Sequence, residues 1–300
     1  MCTRLPYREA QVALNLQNIK IEISHLKRLV YSYGKVFEEQ YLKALTERAN
    51  QALPKPKSRH CGVVVIEIDG CMVMEKNKPV KGKCEGREVK QVVIYRNGNP
   101  KERNSFATAR GLETFEQCLH GLLHTIANQG DTLIGLGDGA PWIDERLDML
   151  GVEIRILDVY HALDYLDKIM KALTFSETQR IFHRCQWFKG EVNARNWLEE
   201  YLPLPKHRSK WSEDTQTALT YLNKRVDQMD YADFKSKGYP IGSGQIEGAN
   251  KAVIAARMKR GGMRWSYEGI NHMAALRSAQ YSKNSFVDFH EARLKAFAFN

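Results

Sequence analysis

The six cysteines of this chain, Cys2, Cys61, Cys71, Cys84, Cys118 and Cys185, stand far apart and form no C-x-x-C pair. That spacing excludes a zinc ribbon and a disulfide framework, and it fits reduced thiols in a cytosol. No apolar run approaches the ~18 residues that a membrane span requires. The opening MCTRLPYREAQ has no apolar core segment, so no secretory signal is expected. Internal repeats and low-complexity stretches are also missing, which excludes solenoid and fibrous architectures. Acidic residues are in the minority, 35 Asp and Glu against 45 Lys and Arg, leaving a formal charge of +10. Such an excess attracts polyanions, although a merely basic globular protein has the same balance. The excess is concentrated late: residues 248–300 hold nine Lys and Arg against Glu268, Asp288 and Glu291. A basic tail of this kind favours nucleic acid over a small-molecule partner.

Apolar residues at 43% and charged residues at 27% describe an ordinary globular chain with room for one large or two modest cores. Residues 1–52 read as helical: a short periodic stretch from Arg4 to Leu14, a break at 15–23, then a longer helix capped by Ser24. Helix–turn–helix fits a DNA reader and equally a plain helical hairpin. A Pro- and Lys-rich linker, LPKPKSRH (53–60), marks a boundary, and residues 61–300 form the second region. Gly62–Asp69 is a β-branched run suited to a strand covered on both faces. Asp69-Gly70 then turns the chain into Cys71–Met74, and a Lys- and Gly-rich tip (77–86) leads to a strand at Val89–Tyr95. An amphipathic helix (111–128), strand (132–136), helix (141–150) and strand (153–157) follow, the order of a mixed α/β sheet. From about 159 to 237 the pattern is helical, an insertion, and a helix resumes over Ser243–Arg260 with Ile246, Ala249, Val253 and Ala256 as its apolar stripe.

Two apolar strands carry an aspartate beside glycine, in EIDG and LGDGA. Asp-Gly is a frequent turn dipeptide, yet buried strands rarely tolerate acids, and open α/β folds place their chemistry at strand ends. The third acidic element is GSGQIEGANK, where Glu247 stands in the first turn of a helix. A capping acid favoured by the helix dipole is the ordinary account of it. Three such carboxylates at one crevice, Asp69, Asp138 and Glu247, would make a hard-oxygen site for Mg²⁺ or Mn²⁺. Two ions about 4 Å apart serve in-line phosphoryl transfer.

The ordered set VIEIDG, LIGLGDGAPWI, ILDVYHALDYL, YPIGSGQIEGANK and RMKRGGMRWS resembles the DDE transposases of bacterial insertion sequences, specifically the Kra group, from about residue 60 onward. YREAQVALNL…ISHLKRLV is similar to that family's N-terminal helix-turn-helix region. The resemblance implies a ribonuclease H-like fold with a helical insertion between the second and third acids. It implies Asp69, Asp138 and Glu247 as catalytic, metal-binding residues with two Mg²⁺ or Mn²⁺ ions. The activity implied is cleavage at element ends and strand transfer into target DNA. It further implies a homo-oligomer assembled on DNA, in the bacterial cytoplasm and associated with the nucleoid. Family members commonly carry a longer N-terminus, so a shortened start is expected. The rival expectations are a non-catalytic, repressor-like remnant and a structure-specific nuclease of the same fold.

Lys251, Arg257, Lys259, Arg260 and Arg264 are candidate phosphate contacts around the third acid, and Trp265 could stack on a base. A solvated helix end and core packing are the corresponding bland readings. His161 is a candidate accessory residue at the crevice, or a residue that packs at a helix start. Glu67 shares a strand face with Asp69 and reads as a structural acid or a fourth ligand. His120 and His124 lack the glutamate of an H-E-x-x-H zinc site.

Overall fold

A computed structural model of the protein describes residues 1–56, 61–80, 83–202 and 210–283, with the backbone alone at 77–80 and 83–85. The boundary residues 57–60, the hairpin tip at 81–82, and Asp288, Glu291, Arg293 and Lys295 of the basic tail lie outside the described residues. The chain divides into two compact units, one of residues 1–132 with 244–300 and one of residues 133–243.

The first unit opens with helices α1 (Tyr7–Asn15) and α2 (Ile23–Ala49). The second does not start on a Ser24 cap. It begins at Ile23, with Glu22 extended before it and no side-chain cap, so Ser24 lies inside the first turn. Strands β1 (Val63–Val80), β2 (Lys83–Arg96) and β3 (Asn99–Thr108) form an antiparallel meander. Asp69-Gly70 is therefore not a turn. Asp69 faces Gln91 and Gly70 faces Lys90 in an unbroken register from Val64 to Met74, so both residues keep their ladder partners in mid-strand. Alternation along β1 separates two buried sets. Val65 and Val73 join Val89, Val93 and Tyr95 in one cluster with Ile246, Val253 and Met258. Elsewhere in the unit a chain of rings runs from Phe37 through Tyr41 and Phe106 to Phe115, joining α2, β3 and α3 (Leu112–Leu123).

After the second unit the chain returns as α10 (Gly244–Ala249), continues without a break through a π-helical turn (Asn250–Ala255) and ends at Ala256–Met258. A π turn widens the helix and frees carbonyls from their usual partners. The guanidinium of Arg277 takes them up, donating from Nε to the Val253 carbonyl at 2.7 Å and from Nη2 to that of Ala252. Arg277 lies on the last described helix, α11 (Tyr267–Tyr281), whose Ile270, Met273 and Ala274 fill the same core.

In the second unit β4 (Thr132–Gly137, with Thr132 assigned to the first unit) and β5 (Ile154–Leu157) run parallel, with α4 (Pro141–Met149) between them in sequence. Among the described residues five α-helices follow: α5 (Val159–Ala172), α6 (Glu177–Lys189), α7 (Ala194–Tyr201), α8 (Glu213–Lys224) and α9 (Tyr231–Ser236). Each begins on a side-chain cap, from Asp158, Ser176, Asn193, Ser212 and Asp230 in turn. Trp187 and Trp197 meet edge to face at 5.9 Å, and His183 accepts a hydrogen bond from the Trp197 indole. Both tryptophans are buried. The strand set, antiparallel in one unit and parallel in the other, gives the mixed α/β fold that was expected, compatible with a ribonuclease H-like class. Among the described residues no helix is long and apolar enough to cross a membrane.

Candidate functional site

Asp69 and Glu67 project from the β1 face that packs against α10, because residues two apart on a strand share a side. Glu67 is fully buried and satisfied. One carboxylate oxygen accepts the Tyr95 hydroxyl at 2.6 Å, and the other accepts the backbone N–H of Ile246 at 2.7 Å. The second bond makes Glu67 the acceptor for the first turn of α10 and binds that helix to the strand. Burial, with the Glu67 charge adding to it, pushes the Tyr95 phenol well above its ordinary range. Two residues along, Asp69 accepts from the Asn250 side-chain amide and from the Gly70 N–H. Asn250 lies three residues after Glu247, one turn along the same helix. Within this unit the fold thus brings Asp69 to the helix that carries Glu247. The Glu247 side chain itself is 51% exposed, and its carboxylate meets Lys251 at 3.5 Å.

Asp138 belongs to the second unit, at the end of β4. One carboxylate oxygen accepts the Ala140 N–H at 2.9 Å, closing the turn into α4. The turn is held from α8: Tyr221 donates to the Asp138 carbonyl and Arg225 donates to the Gly139 carbonyl. Gly139 has a φ of +72°, and a β-carbon there would strike the Arg225 side chain, so glycine is required twice over. Burial raises the Tyr221 phenol above its ordinary range, Arg225 opposes that, and the Asp138 charge adds to it.

Other candidates are placed differently from their sequence reading. Ser243 does not accept at the α10 start. Its N–H and hydroxyl both donate to Asp158, at 2.6 and 2.7 Å. Asp158 is buried and caps α5. Burial alone would raise its carboxyl, but donors from His161 and Ser243 outweigh that and hold it at about 2. His161 stands at that helix start, its backbone N–H donating to Asp158 and its half-exposed ring meeting the same carboxylate at 3.2 Å. Lys251 is 78% exposed and paired with Glu247, while Lys259 reaches Cys71 and Arg260 bonds Glu9 at 2.8 Å. Arg264 is exposed. Arg257 departs most from its expectation as a surface phosphate contact. It is 1% exposed, donates to the Cys2 carbonyl at 2.9 Å, and lies between the rings of Tyr7 and Trp265. Trp265 is buried rather than offered to solvent, because its backbone pairs with β1 at Met74 and Lys76.

Two buried amide oxygens beside Asp69, Oδ1 of Asn250 and Oε1 of its cross-strand neighbour Gln91, have no hydrogen-bond partner among the described residues. Unpaired buried acceptors next to a carboxylate form a hard-oxygen donor set, which fits Mg²⁺ or Mn²⁺. The one triple among the described residues with ligand atoms within 4.8 Å of one another is Glu38, Glu268 and His272. It is an ion-pair cluster, since Arg110 bonds both glutamates and Glu38 bonds His272 at 2.6 Å. Sequence reading passed over Asn250, Gln91, Tyr221 and Arg225. Asn250 had a usable signal, one turn beyond Glu247 in the same motif; the others had none.

No family model matches the chain. The chain is similar to two UPF0236 proteins of Caldanaerobacter subterraneus subsp. tengcongensis, 26% identical over 159 residues and 27% identical over 148. Each match takes in 49% of this chain, and the chain spans only 30% of the length of either relative.

Proposed function

We propose that this protein is a DDE-type DNA transposase of the Kra group, with Asp69, Asp138 and Glu247 as its catalytic carboxylates. The reaction is phosphoryl transfer. Water attacks a phosphorus at the element end and the bond to the 3′ oxygen breaks, leaving a 3′-hydroxyl. That hydroxyl then attacks a phosphorus of target DNA and releases a target 3′-oxygen. Two Mg²⁺ or Mn²⁺ ions would activate the attacking oxygen and steady the leaving one. The protein's own residues orient the acids: the Asn250 amide fixes the Asp69 carboxylate, and Glu67 binds the Glu247 helix to the strand carrying Asp69. The observation that carries the reading is this pair of bonds, with two unpaired amide oxygens beside them. A homo-oligomer assembled on two DNA ends completes the proposal.

The test is cleavage and joining of element-end DNA in vitro. Asp138→Asn should abolish both while leaving the circular dichroism spectrum unchanged. Activity surviving that change would refute the assignment, and cleavage without joining would point to a nuclease. Metal-independent DNA binding by an inert protein would point to a repressor-like remnant.

A further inference from the structure

The first unit holds a pocket of about 760 Å³ that the catalytic reading does not use, formed by α1, the start of α2 and the Gly261–Ser266 loop. Its cations are Arg8, Lys27, Lys76, Arg257, Arg260 and Arg264, against the single carboxylate of Glu9. Two of its lining donors are buried with no hydrogen-bond partner among the described residues: Nη2 of Arg257, a residue 1% exposed, and Nε1 of Trp265, a residue 8% exposed. Leaving such donors unpaired is costly, and each calls for an oxygen acceptor. The two side chains are in contact, the guanidinium 4.7 Å from the indole centroid, so both donors belong to one wall of the pocket. Both are also fixed, Arg257 by the Cys2 carbonyl and Trp265 by its bonds to β1, so the donors are pre-organised. Gly262, with a φ of +74°, and Gly261 leave the loop open to a close approach, since an added β-carbon at either meets nothing within 4 Å.

We propose that this pocket binds a phosphodiester of single-stranded DNA, with Arg257 and Trp265 donating to its non-bridging oxygens and the surrounding cations tracking the strand. The acceptor demand, the cationic rim and the aromatic walls together specify a nucleic acid strand, and pockets of this volume suit small ligands or a nucleotide or two rather than a duplex. The choice of DNA rests on the transposase reading; the phosphate site does not.

The test is fluorescence anisotropy of a short labelled single-stranded DNA with the full chain in EDTA, so no catalysis intervenes. Lys27→Ser with Arg264→Ser, both at exposed positions, should weaken binding about tenfold and flatten its salt dependence. Trp265→Phe, which keeps a ring and loses the N–H, should weaken it about threefold. Affinities within twofold of the parent in both variants, with unchanged circular dichroism, would overturn the proposal. Equally tight competition by inorganic phosphate would overturn it in favour of a small anion. Tighter binding of a duplex, or of the RNA strand, would overturn the single-stranded DNA assignment. Failure of strand transfer with binding intact would sink only the catalytic reading, and lost binding with intact chemistry would sink only this one.

Discussion

Two buried carboxylates show how environment assigns a residue its task. Glu67 lacks exposure of any kind and accepts from Tyr95 and Ile246. Removing it leaves a buried phenol and a helix N–H unpaired, each costing about 1–3 kcal/mol. Glu67→Ala should therefore destabilise the chain by about 4 kcal/mol and Glu67→Gln by about 1 kcal/mol, read from urea unfolding midpoints. Equal losses in the two variants would mean that packing, not acceptor capacity, is what Glu67 supplies. Asp158 makes a prediction in pH. Its folded carboxyl titrates at about 2, below the ordinary carboxylate range, so its stabilisation is fully present above about pH 4. It is lost as pH falls through 2, because the ionised form accepts the Ser243 and His161 donors on both oxygens and the protonated form accepts them more weakly. The difference in stability between the parent and Asp158→Asn should be about 2 kcal/mol at neutral pH and should shrink between about pH 4 and pH 2. A difference constant across that window would refute the linkage.

At the scale of elements, packing geometry overrides composition in several places. A β-carbon on Gly121 would lie 1.9 Å from the Leu45 carbonyl oxygen, so α3 and α2 pack at a separation that only glycine allows. Gly121→Ala should cost about 3 kcal/mol, since the obstacle is backbone and cannot swing aside. A loss under about 0.5 kcal/mol in urea melts would show that the helices separate freely. Periodicity in the sequence found α2, α3, β4, β5 and the helical character of the region after β5, because each buries a regular apolar stripe. It missed β3, whose first half, Asn-Pro-Lys-Glu-Arg-Asn, is held by ladder bonds rather than by apolar side chains. It missed α11 for the opposite reason. That helix is buried on most sides and carries Asn271, His272 and Ser278 inside, each placed by a distant partner or by packing, so no stripe separates its faces. It broke β1 in two because Asp-Gly usually turns, and only the cross-strand partners Gln91 and Lys90 decide otherwise. The proposed site divides in the same way. Its acids were read from motifs, whereas Gln91 stands opposite Asp69 in one unit and Arg225 holds Gly139 in the other through tertiary pairing that local sequence does not encode.

At the scale of the whole molecule, a formal charge of +10 favours polyanions of any kind, whereas the proposed chemistry depends on a local reversal of that sign. Asp69 and Glu247 come from one compact unit and Asp138 from the other, so the proposed set draws on segments distant in sequence. A cation that binds the folded chain and not the unfolded one raises stability by mass action, about 2.7 kcal/mol at a hundredfold excess over its dissociation constant. For a chain of this size that is a rise in Tm of roughly 5 °C. Mn²⁺ should produce such a shift in the parent, Asp69→Asn should lose most of it, and the Lys27→Ser, Arg264→Ser variant should keep it. Gln91→Leu should reduce it, since that change removes the Gln91 oxygen beside Asp69, which has no partner among the described residues, and leaves an apolar side chain of similar volume. Thermal melts with and without Mn²⁺ need no DNA and no turnover, so they separate metal binding from transposition. An equal shift in the parent and in Asp69→Asn would locate the bound ion elsewhere and remove the physical basis of the carboxylate site.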